Sequence, residues 1–156
     1  MAPSGSAGEV ASRWRAMALD VGERRVGVAV SDELRAIASP LATVQRGPRD
    51  LQEIRDLIRT WGVTHLVVGL PTGLSGREGP QAALVRSFAA KLEGALDTGV
   101  RMLFWDERLT TAIAERSLIA SGTSRARRKE RVDAVAAAVL LQSYLDAGRT
   151  GSNRPW

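Results

Sequence analysis

Two short apolar segments constrain the fold most, because each follows a segment with helical periodicity. Residues 64–69 follow a helical pattern over residues 50–61, and residues 100–105 follow another over residues 80–96. Uninterrupted apolar strands of this kind are typical of parallel sheets, in which helices cover both faces. The sequence therefore predicts an α/β domain.

The N-terminal part of the chain adds three strand patterns, at residues 15–21, 25–30 and 36–45. Gly22-Glu-Arg joins the first two as a hairpin-like turn, and Pro40 suits an edge strand. We expect a mixed five-stranded sheet in which three antiparallel strands are followed by two parallel strands, flanked by helices.

Two further helical patterns cover residues 111–120 and 132–145. The Gly/Ser/Ala-rich residues 1–13 are expected to form a disordered arm, and residues 148–156 a flexible tail. One domain at residues 14–147 remains, which is long enough to bury a core.

Composition excludes several classes of function. The chain has no cysteine and one histidine, so thiolate metal sites are excluded and a zinc site or a serine-protease-like triad would depend on His65 alone. His65 begins an apolar strand and is expected to be structural. No apolar run reaches the ~18 residues of a membrane span, and residues 1–8 lack the features of a secretory signal. The net charge of +5 favours a polyanionic partner.

Three acidic residues stand where elements begin or end. Asp20 ends a strand, Glu107 follows another, and Asp133 opens the last helix. If the fold gathers these carboxylates they would repel one another, and a hard cation with oxygen ligands would relieve the repulsion. Asp106 and Glu107 are adjacent, so in a continued strand their side chains would point to opposite faces and only one could join Asp20.

Four motifs resemble the YqgF/RuvX family of the RNase H-like superfamily. They are ALDVGERRVGVAVSD at residues 18–32, VVGLP at 67–71 followed by Gly73 and Gly76, DERLTTA at 106–112, and RVDAVAA at 131–137. The resemblance implies an RNase H-like fold in which Asp20, Glu107 and Asp133 are catalytic and bind two Mg²⁺ or Mn²⁺ ions. It favours Glu107 over Asp106 as the ligand.

Nucleic acid is the expected partner. Glycine at two positions, Gly22 and Gly69, would let a phosphate backbone approach closely. The basic segment before Asp133 would act as a mobile flap that clamps phosphates. The residues expected to contact nucleic acid are Arg24, Arg25, Arg108, Thr110, Arg125, Arg127, Arg128, Lys129 and Arg131. Because aromatic residues are few and fall at core positions, binding should follow backbone shape and charge.

Members of this family are assigned either to 5′-end maturation of pre-16S rRNA or to resolution of Holliday junctions. The first expectation here is a cytoplasmic, metal-dependent nuclease that processes pre-16S rRNA; the alternative is a junction endonuclease. A non-catalytic RNA-binding protein is the contrasting class. Cleavage of a two-fold symmetric junction would call for a homodimer, whereas RNA trimming would not. An actin-like ATPase is disfavoured because the chain has one Asp-x-Gly loop and half the required length.

Overall fold

The computed structural model describes residues 14–71, 77–106 and 125–149, with the backbone alone at 125–130 and 149. The predicted helix at 111–120 lies outside these ranges, as do the predicted arm and most of the predicted tail.

Five strands form one mixed sheet in the order β3-β2-β1-β4-β5. Strands β1, β2 and β3 pair antiparallel, whereas β4 pairs parallel with β1 and with β5. The predicted topology of three antiparallel strands followed by two parallel strands is therefore confirmed. The strands are β1 Arg15–Val21, β2 Arg25–Ser31, β3 Ala38–Gln45, β4 Val63–Leu70 and β5 Arg101–Asp106.

Three helices flank the sheet in the described ranges: α1 Asp50–Trp61, α2 Pro80–Glu93 and α3 Arg125–Arg149. Helix α1 ends at Gly62, whose φ of 64° is the left-handed conformation that glycine adopts at helix ends. Among these helices, none combines the length and the apolar character needed to cross a bilayer.

Alternation along the strands separates two hydrophobic layers. On one face, Met17 and Leu19 of β1 pack with Ile54 of α1 and Phe88 of α2. On the other face, small side chains such as Ala16, Ala18 and Ala29 pack with the apolar side of α3. Because alanine and glycine dominate this second face, α3 can lie close to the sheet, mainly over β1, β2 and β3.

The predicted start of the last helix is wrong. Helix α3 begins by Arg125, not at residue 132, so the basic segment that was expected to act as a mobile flap has a helical backbone from Arg125 onward. Arginine, lysine, glutamate and alanine all have high helix propensity, and no glycine or proline interrupts residues 125–132. The helix also continues to Arg149, through the first two residues of the predicted tail.

Candidate functional site

Asp20 lies near the carboxyl end of the central strand, on the face covered by α3. Its registered partner on β2 is Gly27, and Ala18, two residues earlier, packs in the α3 layer. Side chains two residues apart on a strand share a face. The side chain of Asp20 is half-buried and therefore accessible from the end of the sheet.

Gly27 brings the last helix onto this position. A Cβ built at Gly27 would lie 1.8 Å from the backbone oxygen of Asp133 and 2.9 Å from the backbone nitrogen of Ala134. Only a residue without a side chain fits beneath the helix here. Because Gly27 is registered with Asp20 on the neighbouring strand, the helix backbone at Asp133 packs one strand away from Asp20. The structure thus brings the backbone positions of two of the three predicted acids into the same region.

Arg25 interacts directly with the second acid. Its Nε donates to Oδ2 of Asp133 at 2.7 Å, and both side chains are about three-quarters buried. Arg25 also lies on the α3 face, two residues before Gly27. A guanidinium that the sequence predicted as a phosphate contact thus neutralises an acid of the predicted metal site.

The sequence predicted that Asp133 lies in the first turn of its helix, and this prediction is wrong. Asp133 follows Arg125 by more than two helical turns. The field of a helix end falls off within the first turn, so stabilisation by the helix dipole does not explain an acid here. The partly buried carboxylate is stabilised instead by its ion pair with Arg25.

Alternation of side chains along β5 places Asp106 on the opposite face of the sheet from Asp20. Leu103 and Trp105 belong to the layer under α3, whereas Met102 and Phe104 pack with the opposite core. Asp106 continues the second set and is registered with Leu70, which packs in the same core. Its side chain therefore points away from the face of Asp20.

The two predicted glycines for phosphate approach occupy different positions. Gly22 closes the β1–β2 turn, donating its N–H to the Arg25 carbonyl at 2.8 Å, and a Cβ there would lie 3.1 Å from that oxygen. Gly69 is buried in β4 and registered with Trp105. Arg24 is exposed in the turn beside Gly22.

His65 lies at the opposite end of the sheet from the acids, near the start of β4. Its ring stacks on Trp14 with centroids 3.9 Å apart. Burial, with added repulsion from Arg101 and Arg35, lowers the pKa of His65. The histidine is therefore kept neutral in a packed position.

Aromatic side chains near the site are part of the packing. Trp105 contacts Tyr144 edge-on at 5.4 Å and donates its Nε1–H to the hydroxyl of Ser143 at 3.2 Å. Burial raises the pKa of Tyr144 to about 12. These contacts fix β5 against α3.

Several predicted site residues lie outside the described ranges or have undescribed side chains. Glu107, Arg108 and Thr110 belong to the first group. Arg125, Arg127, Arg128 and Lys129 belong to the second, with a backbone that is helical. The side chain of Arg131 is exposed. The described ranges contain no group of three acidic or histidine side chains that lie close enough together to hold a metal ion.

The residues that are present nevertheless suit a hard divalent cation. Two carboxylates, those of Asp20 and Asp133, belong to neighbouring positions at one end of the sheet, and oxygen donors of this type are those that Mg²⁺ and Mn²⁺ prefer. The guanidinium of Arg25 balances the charge of one of them, Asp133, through an ion pair.

Sequence reasoning missed the role of Gly27. A signal was available: glycine inside an otherwise apolar strand marks a close approach of another backbone. The partner could not be identified from the sequence, because Gly27 and Asp133 are more than 100 residues apart. The pairing of Arg25 with Asp133 has no sequence signal of its own.

The sheet order, the helices on both faces and the acid on the central strand define an α/β domain of the RNase H-like class. The chain matches the family model described as "RuvX: Holliday junction resolvase" over residues 14–147. It belongs to the RuvX family.

The chain is also similar to two relatives and, in fold, to one solved structure. The chain is 50% identical to the "Putative pre-16S rRNA nuclease" of Roseiflexus sp. (strain RS-1), over 86% of this chain and 96% of the relative. It is 47% identical to the protein of the same name from Chloroflexus aurantiacus (strain ATCC 29366 / DSM 635 / J-10-fl), over 88% and 90%. RuvC of T. thermophilus, solved in complex with a Holliday junction substrate, has a TM-score of 0.58 at 18% identity, covering 92% of this chain and 99% of RuvC. That likeness concerns the fold.

Proposed function

We propose that this protein is a divalent-metal-dependent nuclease that matures the 5′ end of pre-16S rRNA. The observation that carries the proposal is the packing of α3 at Asp133 on Gly27, the registered neighbour of Asp20, at the end of the sheet where the parallel strands finish. Two partly buried carboxylates held by a helix and a strand suit metal-assisted hydrolysis of phosphodiesters. The names of the relatives supply the substrate.

Glu107 is the third proposed ligand. It follows Asp106 directly, and the alternation seen at Leu103 and Trp105 would, if continued, carry its side chain to the face of Asp20. Three carboxylates at this edge would hold two Mg²⁺ or Mn²⁺ ions, which supply an activated water and stabilise the leaving oxygen. The protein's own part is to fix the carboxylates, through the packing of α3 on Gly27.

Basic residues around this edge would hold the substrate. Arg24 is exposed beside the acids, and α3 begins with a basic segment that leads directly to Asp133. We propose that the basic residues at 125–131, with Arg108 and Thr110, contact phosphates. Such contacts position the nucleic-acid strand without reading its bases. Pre-rRNA as substrate would place the protein in the cytoplasm.

A cleavage assay tests the proposed function. Purified protein is incubated with a precursor rRNA fragment carrying the 5′ extension and, in parallel, with a synthetic four-way junction, each with Mg²⁺, Mn²⁺ or EDTA. We expect metal-dependent cleavage of the precursor that EDTA abolishes. Cleavage of the junction alone would establish the resolvase alternative, which the family description favours, and a dimer in solution should accompany it. Binding without cleavage of either substrate would indicate a non-catalytic RNA-binding protein.

Replacing Arg25 with glutamine is expected to strengthen Mn²⁺ binding about tenfold. The guanidinium occupies Oδ2 of Asp133 and repels a second cation, so its removal frees an oxygen donor and lowers the repulsion. Titration calorimetry with Mn²⁺ measures the change. Arg24→Gln is the matched control, because it removes the same charge from the same turn without touching Asp133. Unchanged or weaker binding in Arg25→Gln would instead show that Arg25 orients Asp133 for the metal.

A further inference from the structure

A cleft lies beside the acid pair, on the side of the edge strand β3. Its volume is about 370 Å³, and it is lined by Pro40, Leu41, Ala42, Thr43, Arg131 and Ala134. The first four belong to β3 and the last two to α3. The cleft is therefore the gap between the sheet edge and the N-terminal half of the last helix.

The strand register gives the position of this cleft relative to Asp20. Thr43 is registered with Gly27, and Gly27 with Asp20. Two strand spacings separate Thr43 from Asp20, or about 10 Å. On the helix side, the lining residues Arg131 and Ala134 flank Asp133 in the sequence. The cleft therefore adjoins the acid pair without including it.

The lining has the chemistry of a site for a phosphorylated, partly apolar ligand. Among the described lining residues Arg131 is the one that carries a charge, and β3 contributes none. Proline, leucine and alanine form apolar walls, and Thr43 contributes a hydroxyl group. A guanidinium beside an apolar wall can bind a phosphate while the wall packs against a sugar or base.

We infer that this cleft binds a nucleotide of the substrate strand that neighbours the cleaved phosphate, with Arg131 on its phosphate. The inference rests on the proposed function, since the cleaved phosphate is taken to lie at Asp20 and Asp133. A strand that crosses the end of the sheet from the acid pair toward β3 enters the cleft directly. The cleft thus fixes the path of the strand on one side of the cut.

Binding of a fluorescently labelled single-stranded RNA oligomer in EDTA tests the inference without requiring cleavage. Arg131→Gln removes the cation, and Thr43→Leu fills the cleft from the strand side. Arg131→Gln is expected to weaken binding about tenfold, the loss of one charge-assisted contact. Thr43→Leu is expected to weaken binding by a similar factor, because the larger side chain occupies the space of the ligand. Arg101→Gln is the matched control: Arg101 is equally a surface arginine, exposed at the start of β5, at the far end of the sheet from the site. Thermal melting verifies that both cleft variants fold.

Two outcomes would overturn the inference. If Arg131→Gln weakens binding no more than Arg101→Gln does, and Thr43→Leu has no effect, the cleft does not take part. If AMP binds the wild-type protein as tightly as the oligomer, the cleft is a site for a free nucleotide. Mn²⁺ titration of the same variants separates this failure from failure of the proposed function, because Arg131→Gln and Thr43→Leu should leave the metal site intact. Absence of Mn²⁺ binding in the wild type would refute the metal site itself.

Discussion

Asp20→Asn should reduce metal-dependent cleavage by ~100-fold or more while the protein still binds RNA. An amide oxygen carries no charge and is a weak substitute for a carboxylate in holding a divalent cation. Metal assistance contributes several kcal/mol to a hydrolytic transition state, and each 1.36 kcal/mol corresponds to a factor of ten in rate. Single-turnover cleavage rates and RNA binding in EDTA measure the two quantities separately.

Stability should remain unchanged or rise in this variant. The substitution removes the charge of Asp20, and with it any repulsion from Asp133 that the Arg25 ion pair leaves unbalanced in the metal-free protein. Asp97→Asn is the matched control, since Asp97 is an exposed carboxylate paired with Arg59. It precedes the start of β5 and lies at the opposite end of the sheet from the site. The control variant should cleave at the wild-type rate. Substantial residual cleavage by Asp20→Asn would remove Asp20 from the catalytic set.

The sheet was predictable because its signals are local. Apolar strands that follow helical patterns, and a turn at Gly22, determine both the pairing and the direction of the strands. Helix α1 was predictable for the same reason. Its predicted bounds match those observed, Asp50–Trp61, because the apolar periodicity ends directly before a glycine.

The last helix shows where local reasoning fails. The apolar pattern marks only the part of α3 that is buried on the sheet, so the sequence placed its start near Asp133. The preceding residues carry no apolar stripe, but arginine, lysine and alanine propagate a helix without one. The apolar portion of the helix was predicted correctly, whereas its extension back to Arg125 is known only from the backbone of the structure.

Sequence motifs predict which residues belong to the site, but they give no information on the contacts between them. The order of the acids along the chain and the family motifs pointed to Asp20 and Asp133. What holds them together is a contact between Gly27 and the backbone of α3, and what balances the charge of Asp133 is Arg25. Both depend on tertiary packing between residues more than 100 positions apart, for which one sequence gives no direct signal.

Gly27→Ala is expected to lower both stability and metal binding, because the added methyl group would overlap the backbone of α3. The new Cβ would lie 1.8 Å from the carbonyl oxygen and 2.2 Å from the carbonyl carbon of Asp133. A flexible side chain could move aside, but a helix backbone packed over three strands cannot move without loosening its whole apolar face. Overpacking of this kind costs about 3 kcal/mol, which corresponds to a fall in the melting temperature of about 10 °C.

The displacement of α3 in Gly27→Ala should also affect metal binding and cleavage. Lifting α3 moves Asp133 away from Asp20, so Mn²⁺ affinity and cleavage should fall together with stability. Gly94→Ala is the control for adding a methyl group: Gly94 has helical φ and ψ, and a Cβ there would meet nothing closer than 3.7 Å. Alanine at that position should be neutral or slightly stabilising. If Gly27→Ala melts at the wild-type temperature and binds Mn²⁺ normally, then α3 does not rest on Gly27. In that case the separation of the two acids must be set elsewhere along the helix.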